Sequence, residues 1–227
     1  MAGRTIVIGD VHGCIAELET LVLACQLRPN DRVVLVGDLV AKGPDSRAVI
    51  EYARDTGMLA VRGNHDEALI RWKLAADKGK ELPRLSRSAQ EALDQLKPAH
   101  LAWLATLPYY LELDDETVVV HGGFEPGVKL DKQDPNVMIN LRSIAPGGKL
   151  SPRAAGGVPW ASKWKGPRFV FFGHDAIRGL QREKYAVGLD TGCVYGRSLT
   201  AAILPDRKLV SVPARRAYAE VRRGEPV

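Results

Sequence analysis

Three short apolar segments in the first third of the chain are each followed by a polar loop and then by a helical pattern. The segments read RTIVIG, RVVLVG and MLAVRG, and the helical patterns cover 15–27, 46–54 and the stretch NHDEALIRWKLAA. Repeated strand, loop and helix units predict parallel strands, because a parallel connection needs a crossover segment such as a helix. We therefore expect an α/β fold.

The remainder of the chain predicts helices first and strands afterwards. A helical pattern runs over 86–107 and is broken at Lys97-Pro98, since the residue before a proline disfavours helical geometry. Strand-like segments follow, and residues 123–168 are rich in proline and glycine. A chain of 227 residues suits one domain, so we interpret 1–227 as a single unit with a basic C-terminal tail at 214–227.

Composition excludes several classes of protein. Apolar residues at 45% and charged residues at 26% are ordinary globular values, and no apolar run reaches the roughly 18 residues of a membrane-spanning helix. Three cysteines without framework spacing favour reduced thiols and a cytoplasmic protein. The net charge of +5 suits an anionic partner, but basic residues concentrated near the C-terminus and no aromatic platform disfavour nucleic-acid binding.

Polar residues with glycine beside them follow the predicted strands. They are Asp10 and His12, then Asp38, then Asn64, His65 and Asp66, then His121, and finally His174. In α/β sheets, ligands bind beyond the carboxyl ends of strands, so these clusters can converge in space. Four of the five histidines belong to them, whereas His100 lies on an apolar helix and is interpreted as a packed histidine. For any one member alone, a capping Asp or a satisfied loop His is the favoured interpretation, whereas the whole set together predicts a metal site.

The residue types narrow the choice of metal. Asp, Asn and His donors without cysteine suit Mn²⁺, Fe or Zn²⁺ rather than a structural zinc site. The number of candidate ligands exceeds the four of a tetrahedral site, which predicts two ions bridged by a carboxylate. Two metals about 3.5–4 Å apart are a standard arrangement for displacement at phosphorus.

The segments GDVHG, GDLVAKG, GNHDE, HGG and GHD occur in order and, with the later loop, span residues 10 to 195. They resemble the successive motifs of the PPP-type (calcineurin-like) metallophosphoesterases. That family includes Ser/Thr protein phosphatases, the symmetrical diadenosine tetraphosphate hydrolase ApaH and the ApaH-like phosphatases. The resemblance implies a four-layer αββα sandwich with a di-metal site at the strand carboxyl ends.

The resemblance also implies roles for individual residues. The implied ligands of the first metal are Asp10 and His12, with Asp38 bridging to the second. The implied remaining ligands of the second metal are Asn64, His121 and His174. His65 resembles the general acid that protonates the leaving oxygen, a task suited to an imidazole. Mn²⁺ is the favoured ion, with Co²⁺, Fe and Zn²⁺ as alternatives.

The second motif departs from the protein-phosphatase form, which carries Asp-Arg where this chain has Ala41-Lys42. The Asp would normally support the catalytic histidine, so Asp66 is the candidate to orient His65. Lys42 offers a point charge in place of a bidentate guanidinium, as in the ApaH-like branch. The predicted phosphate-binding residues are Lys42, Arg62, Asn64, Arg178 and Tyr195. Arg142 is a further candidate, although a surface cation is the favoured interpretation there.

The loop DTGCVYG at 190–196 resembles the one that overhangs the site in these phosphatases, which places Cys193 and Tyr195 nearby. For Cys193, a buried thiol in a connecting turn is an equal alternative.

The favoured function is hydrolysis of a small phosphorylated substrate, above all dinucleoside polyphosphates. Hydrolysis of polyphosphate and of phosphoserine or phosphothreonine in proteins are the alternatives with the same metal chemistry. A binding module on an inactive phosphatase scaffold is disfavoured, because the ligand set and His65 are complete. A basic nucleic-acid-binding protein would show salt-dependent binding that survives metal removal.

Overall fold

The computed structural model describes residues 3–220, which form two five-stranded sheets, one smaller sheet and six α-helices within that range. The strands are β1 (Thr5–Ile8), β2 (Arg32–Leu35), β3 (Leu59–Ala60), β4 (Tyr110–Glu112), β5 (Thr117–Val120), β6 (Ser143–Ile144), β7 (Leu150–Ser151), β8 (Val158–Pro159), β9 (Phe169–Phe172), β10 (Gln181–Glu183), β11 (Ala186–Gly188), β12 (Ser198–Leu204) and β13 (Lys208–Pro213). The helices are α1 (Ile15–Ala24), α2 (Ser46–Asp55), α3 (Asn64–Asp77), α4 (Arg87–Gln95), α5 (Pro98–Thr106) and α6 (Pro135–Asn140).

The first sheet has the strand order β13-β12-β1-β2-β3. Its β1, β2 and β3 are parallel, as the repeated strand and helix pattern predicts, and β12 and β13 add antiparallel partners from the end of the chain. Residues of helices α1 to α5 share one apolar core with its outer face. Local chemistry sets their limits: the Asp45 carboxylate accepts the Ala48 amide at the start of α2, and Pro98 begins α5 where the break was predicted.

The second sheet has the order β10-β11-β9-β5-β4, with β5, β9 and β11 parallel to one another. The two sheets pack face to face. Within β1, Val7 lies between the sheets while Ile6 and Ile8 face the helices, as the two-residue period of a strand requires. From the second sheet, Phe171 and Val119 contribute to the same inter-sheet core.

A thin fourth layer covers the outer face of the second sheet. Residues 123–168, predicted to be irregular, contain α6, the small sheet β7-β6-β8 and short 3₁₀ turns. Trp160, Trp164 and Phe124 pack there against Phe172. The αββα sandwich is thus confirmed, and large aromatic side chains supply much of the burial that its single short helix cannot.

The start of the segment interpreted as a basic tail lies against the body of the protein. The Arg215 amide and the Tyr218 hydroxyl both donate to the Glu17 carboxylate, at 2.9 and 2.8 Å. Residues 221–227 of that segment lie outside the described residues. Among the described helices, none combines the length and apolar character needed to cross a bilayer.

Candidate metal centre

The polar clusters converge where the carboxyl ends of the parallel strands of both sheets meet. Three of the residues predicted as ligands adopt left-handed backbone conformations: His12 at φ 47°, Asp38 at φ 51° and His174 at φ 70°. Such conformations are uncommon for residues other than glycine and persist only where the surroundings enforce them. Here the His12 amide donates to the Asp38 carbonyl at 2.8 Å, which ties the loops after β1 and β2 together.

Asp38 lies at the middle of the cluster. One of its carboxylate oxygens is 3.3 Å from His12 Nε2, and the other is 3.4 Å from His121 Nε2. The His65 amide also donates to this carboxylate, at 2.9 Å. A carboxylate that presents one oxygen to each of two imidazoles has the placement that a bridging ligand needs.

Backbone carbonyls fix the orientation of the imidazoles. Nδ1 of His12 is 2.9 Å from the Val40 carbonyl, and Nδ1 of His121 is 2.9 Å from the Val36 carbonyl. Each Nδ1–H donates to the backbone, so in the neutral imidazole the Nε2 lone pair lies beside Asp38 and is free to bind a cation. The Asn64 side-chain oxygen lies 3.0 Å from His121 Nε2 and completes this side of the cluster.

Asp10 and His174 join the two sheets at the site. The His174 amide donates to both Asp10 carboxylate oxygens at 3.1 Å. His174 Nε2 lies 3.1 Å from the Asn140 carbonyl, so it donates there and leaves Nδ1 as the candidate ligand. The His174 and His121 rings are 4.9 Å apart. Gly173 is required beside them, because a Cβ at that position would lie 2.0 Å from an Asp10 oxygen.

Burial and charge set the protonation of the cluster. Burial and the Lys42 ammonium lower the pKa of His12 to about 3 and lower the pKa of His65 well below its ordinary value. Burial likewise lowers the pKa of His174. Burial alone would raise the pKa of Asp38, but the surrounding imidazoles, His121 foremost, lower it well below its ordinary value. Burial alone would lower the pKa of His121, but the Asp38 carboxylate raises it to about 9, so without a cation this imidazole is protonated. Neutral imidazoles and an ionised carboxylate are the forms that bind a cation, so binding there displaces the His121 proton.

The donor set fits a pair of divalent cations. His12, Asp38 and His65 offer ligand atoms within 4.8 Å of one another, and Asp38, His121 and His174 form a second such group. The two groups share Asp38. His65 Nε2 is buried without a hydrogen-bond partner among the described residues, as expected of an atom reserved for a ligand or a substrate.

Asp190 is a site residue that the sequence reasoning missed. It is buried next to Asp10, and burial raises the pKa of both carboxyls, with the Asp190 charge the next cause for Asp10. A signal for it existed, since Asp190 lies two residues beyond the end of β11, just as Asp10 lies two residues beyond the end of β1. A second buried carboxylate beside Asp10 increases the attraction of this pocket for cations.

Asp66 does not orient His65 in this structure, contrary to the interpretation from the sequence. Its buried carboxylate accepts the backbone amides of Asp38 and Gly63 at 2.9 Å and that of Leu39 at 3.0 Å. Burial, followed by the Asp38 charge, raises the pKa of Asp66 to about 7 against the lowering effect of these hydrogen bonds. Asp66 therefore positions the bridging carboxylate rather than the imidazole.

Two of the predicted phosphate-binding arginines are engaged elsewhere. Arg62 pairs with Glu67 at 2.9 Å and stacks on the Tyr109 ring, 4.7 Å from its centroid. Arg178 binds Asp175 and donates to the Ser143 hydroxyl at 2.7 Å. Neither lines a cavity at the site. A guanidinium whose charge is already paired with a protein carboxylate has little left to offer a phosphate.

Arg142 lies at the site, although the sequence favoured a surface cation. Its guanidinium donates to the His174 carbonyl at 2.9 Å and lines the cavity over the cluster. Lys42 also lines this cavity, next to His12: its Nζ is 3.1 Å from His12 Nε2 and 5.6 Å from the centre of the Tyr195 ring. Cys193 is buried beside Cys14 instead of facing the cavity.

Two cavities open from the cluster. Cavity 1, of about 560 Å³, is lined by His12, Asp38, His174, Asp190, Arg142 and residues of α6 and the small sheet. Cavity 2, of about 540 Å³, is lined by Asn64, by the segment 84–89 at the start of α4, and by residues 218–220. Lys42, His65 and Tyr195 line both. Each volume is in the range of small-molecule sites.

Comparisons with known proteins agree with this geometry. Residues 3–188 match the family described as calcineurin-like phosphoesterase. A symmetrical bis(5'-nucleosyl)-tetraphosphatase of Aromatoleum aromaticum is 29% identical, over 91% of this chain and 96% of that protein. The asymmetrical bis(5'-nucleosyl)-tetraphosphatase PrpE of Oceanobacillus iheyensis is also 29% identical, over 93% of each chain.

The solved structure of a proposed diadenosine tetraphosphatase is 36% identical and superimposes with a TM-score of 0.83, over 94% of this chain and 95% of that one. The chain belongs to the calcineurin-like phosphoesterases and is a metal-dependent hydrolase of phosphate esters or anhydrides.

Proposed function

We propose that this chain hydrolyses dinucleoside polyphosphates, with diadenosine tetraphosphate as the preferred substrate. The observation that carries the proposal is the buried Asp38 carboxylate under one cavity, with His12 at one of its oxygens and His121 at the other. The similarity to proteins named as tetraphosphatases selects this substrate class among phosphate esters and anhydrides. Cations at Lys42 and Arg142 on opposite sides of the cavity suit a polyanionic chain.

In this proposal Asp10 and His12 would hold the first ion, Asn64, His121 and His174 would hold the second, and Asp38 would serve both. Two divalent ions held there would supply a water nucleophile of lowered pKa and would neutralise charge on the phosphoryl oxygens. Oxygen and nitrogen donors without sulfur support Mn²⁺, with Co²⁺, Fe and Zn²⁺ as the alternatives.

His65 is proposed as the proton donor to the leaving oxygen. The imidazole is buried, lines both cavities and has an unpartnered Nε2. Burial and Lys42 favour its neutral form in the free protein, whereas a phosphate anion beside it favours the imidazolium. The negative charge of the substrate would therefore favour the protonated form of His65, which then gives its proton to the leaving oxygen.

Lys42, Arg142 and Tyr195 are the proposed phosphate-binding residues, together with Asn64. Arg142 replaces Arg62 and Arg178 in this role, because it lines the cavity and they do not. Lys42 presents three donors on a flexible stem and follows a phosphate chain more easily than a fixed guanidinium fork does.

The three cysteines are free thiols in the described structure, which supports the proposal of a cytoplasmic protein.

The test is release of products from a matched set of substrates by Mn²⁺-loaded protein. The set contains diadenosine tetraphosphate, polyphosphate, a phosphoserine peptide and p-nitrophenyl phosphate, each with and without a chelator. Chelator-sensitive preference for the dinucleotide supports the proposal. Two ADP identify symmetrical cleavage, whereas ATP and AMP identify asymmetrical cleavage.

A preference for the peptide or for polyphosphate would replace the proposed substrate and keep the metal chemistry. Absence of chelator-sensitive hydrolysis of every substrate would refute the enzymatic proposal. Asp38→Ala serves as the negative control, because it removes the residue shared by both ligand groups.

A further inference from the structure

The metal centre has space on two sides, and the two spaces differ in what they contact. Cavity 1 contains the ligand residues His12, Asp38 and His174, whereas cavity 2 contains Asn64 and otherwise lies beyond the shared residues Lys42, His65 and Tyr195. The phosphorus under attack belongs over the metals, in cavity 1. Cavity 2 therefore begins on the far side of His65.

We propose that cavity 2 binds the leaving nucleotide half of a two-ended substrate, while cavity 1 holds the half that carries the attacked phosphorus. The inference rests on the proposed function, in which His65 protonates the leaving oxygen. Because His65 lines both cavities, an oxygen beside it lies at their junction. A chain cleaved at that point then continues into cavity 2.

The lining of cavity 2 suits a nucleotide. Arg84 lies on its wall and makes no ion pair with any residue that the structure describes, so its charge is available to a phosphate. Ser86 and Ser88 offer hydroxyl groups, and Leu85 offers an apolar surface. The other arginine, Arg87, is paired with Glu91 at 2.8 Å and contributes less net charge.

Cavity 1 has a different lining that fits the other half. Val137, Leu141, Leu150 and the largely exposed Ile177 form apolar walls around the cations Arg142 and Arg153. Apolar side chains that line a cavity are the usual partners of a base or ring. The similar volumes of about 560 and 540 Å³ suit two halves of comparable size.

A steric block of cavity 2 tests the assignment. Ser88→Trp places an indole on its wall, and Gln90→Trp places the same group on α4 outside both cavities. The readout is the selectivity ratio, that is, kcat/KM for diadenosine tetraphosphate divided by kcat/KM for p-nitrophenyl phosphate, whose leaving group is small. We expect Ser88→Trp to lower this ratio about tenfold or more, the equivalent of one lost favourable contact, and Gln90→Trp to leave it at the wild-type value.

Arg84→Ala gives a second measurement that does not depend on tolerance of a large residue. We expect it to lower the same ratio about tenfold, because a charged hydrogen bond is lost, while Arg47→Ala on the exposed face of α2 leaves the ratio as in the wild type. A wild-type ratio in both Ser88→Trp and Arg84→Ala, in protein that hydrolyses the dinucleotide, overturns the cavity assignment alone. Failure of the wild-type protein to hydrolyse any dinucleotide overturns the proposed function, and the assignment with it.

Discussion

Replacing Asp66 with alanine should damage the metal centre without touching a metal ligand. The Asp66 carboxylate is fully buried and accepts three backbone amides, those of Asp38, Leu39 and Gly63. Asp38 is held at φ 51°, a conformation that needs support from its surroundings. The substitution removes that support and leaves the three amides without their acceptor.

The size of the effect follows from the hydrogen bonds. A buried donor left unsatisfied costs about 1–3 kcal/mol, so three of them predict a loss of at least about 3 kcal/mol in the free energy of unfolding. That is a large share of the roughly 5–15 kcal/mol by which a typical domain is stable. Asp66→Asn keeps one acceptor oxygen and should lose about 1–3 kcal/mol. Metal affinity should fall about 10–100-fold in the alanine variant, because Asp38 is no longer held in place.

Urea unfolding of the metal-free protein measures the first quantity, and calorimetric Mn²⁺ titration measures the second. Asp77→Ala is the control, since Asp77 is exposed at the end of the same helix. The reasoning would be refuted if Asp66→Ala unfolded within about 1 kcal/mol of the wild type and bound Mn²⁺ with unchanged affinity.

Three further outcomes are expected. His65→Ala should retain both metals in a titration and lower kcat about 10²–10⁴-fold, because general acid catalysis is lost while the ligands remain. Lys42→Ala should raise KM for the dinucleotide more than it lowers kcat, since it removes a cation from the cavity wall; Lys132→Ala, on the surface, should change neither. Asp31, whose pKa is held at about 2 by hydrogen bonds from Arg4, contributes stability above about pH 4 that is lost as the pH falls toward 2. The difference in Tm between the wild type and Asp31→Asn should therefore shrink over that range.

Each outcome has a contrary result. Full activity in His65→Ala would show that the proton comes from another group. A fall in kcat without a change in KM for Lys42→Ala would place Lys42 in the transition state instead of the ground state. A Tm difference for Asp31→Asn that is the same at pH 6 and at pH 2.5 would show that its ionisation does not contribute.

Sequence alone determined the strand ends and the residues that gather there. Asp10 and Asp38 follow the parallel strands β1 and β2 of the first sheet, whose carboxyl ends lie at one edge, and His121 follows β5 of the second sheet. This inference needs only the two-residue period of a strand and the length of a crossover helix. Asp190 obeys the same rule, because it lies two residues beyond the end of the apolar strand β11.

Tertiary structure decided how the longer and more buried side chains are used. Arg62 and Arg142 were both candidate phosphate-binding residues. Arg62 pairs with Glu67 and stacks on Tyr109, whereas Arg142 donates to the His174 carbonyl. Asp66 follows His65 directly, but its carboxylate turns to the amides of another loop.

The physical reason is the separation along the sequence over which each property is determined. Backbone periodicity is set by neighbouring residues, so a local pattern reports where each strand ends and which residue follows it. The end of a flexible side chain is positioned by groups far away in the chain. The guanidinium of Arg142, for example, is positioned by the carbonyl of His174, which is 32 positions away in the sequence. Both cavities are bounded by segments distant from one another in sequence, and their existence could be read only from the folded protein.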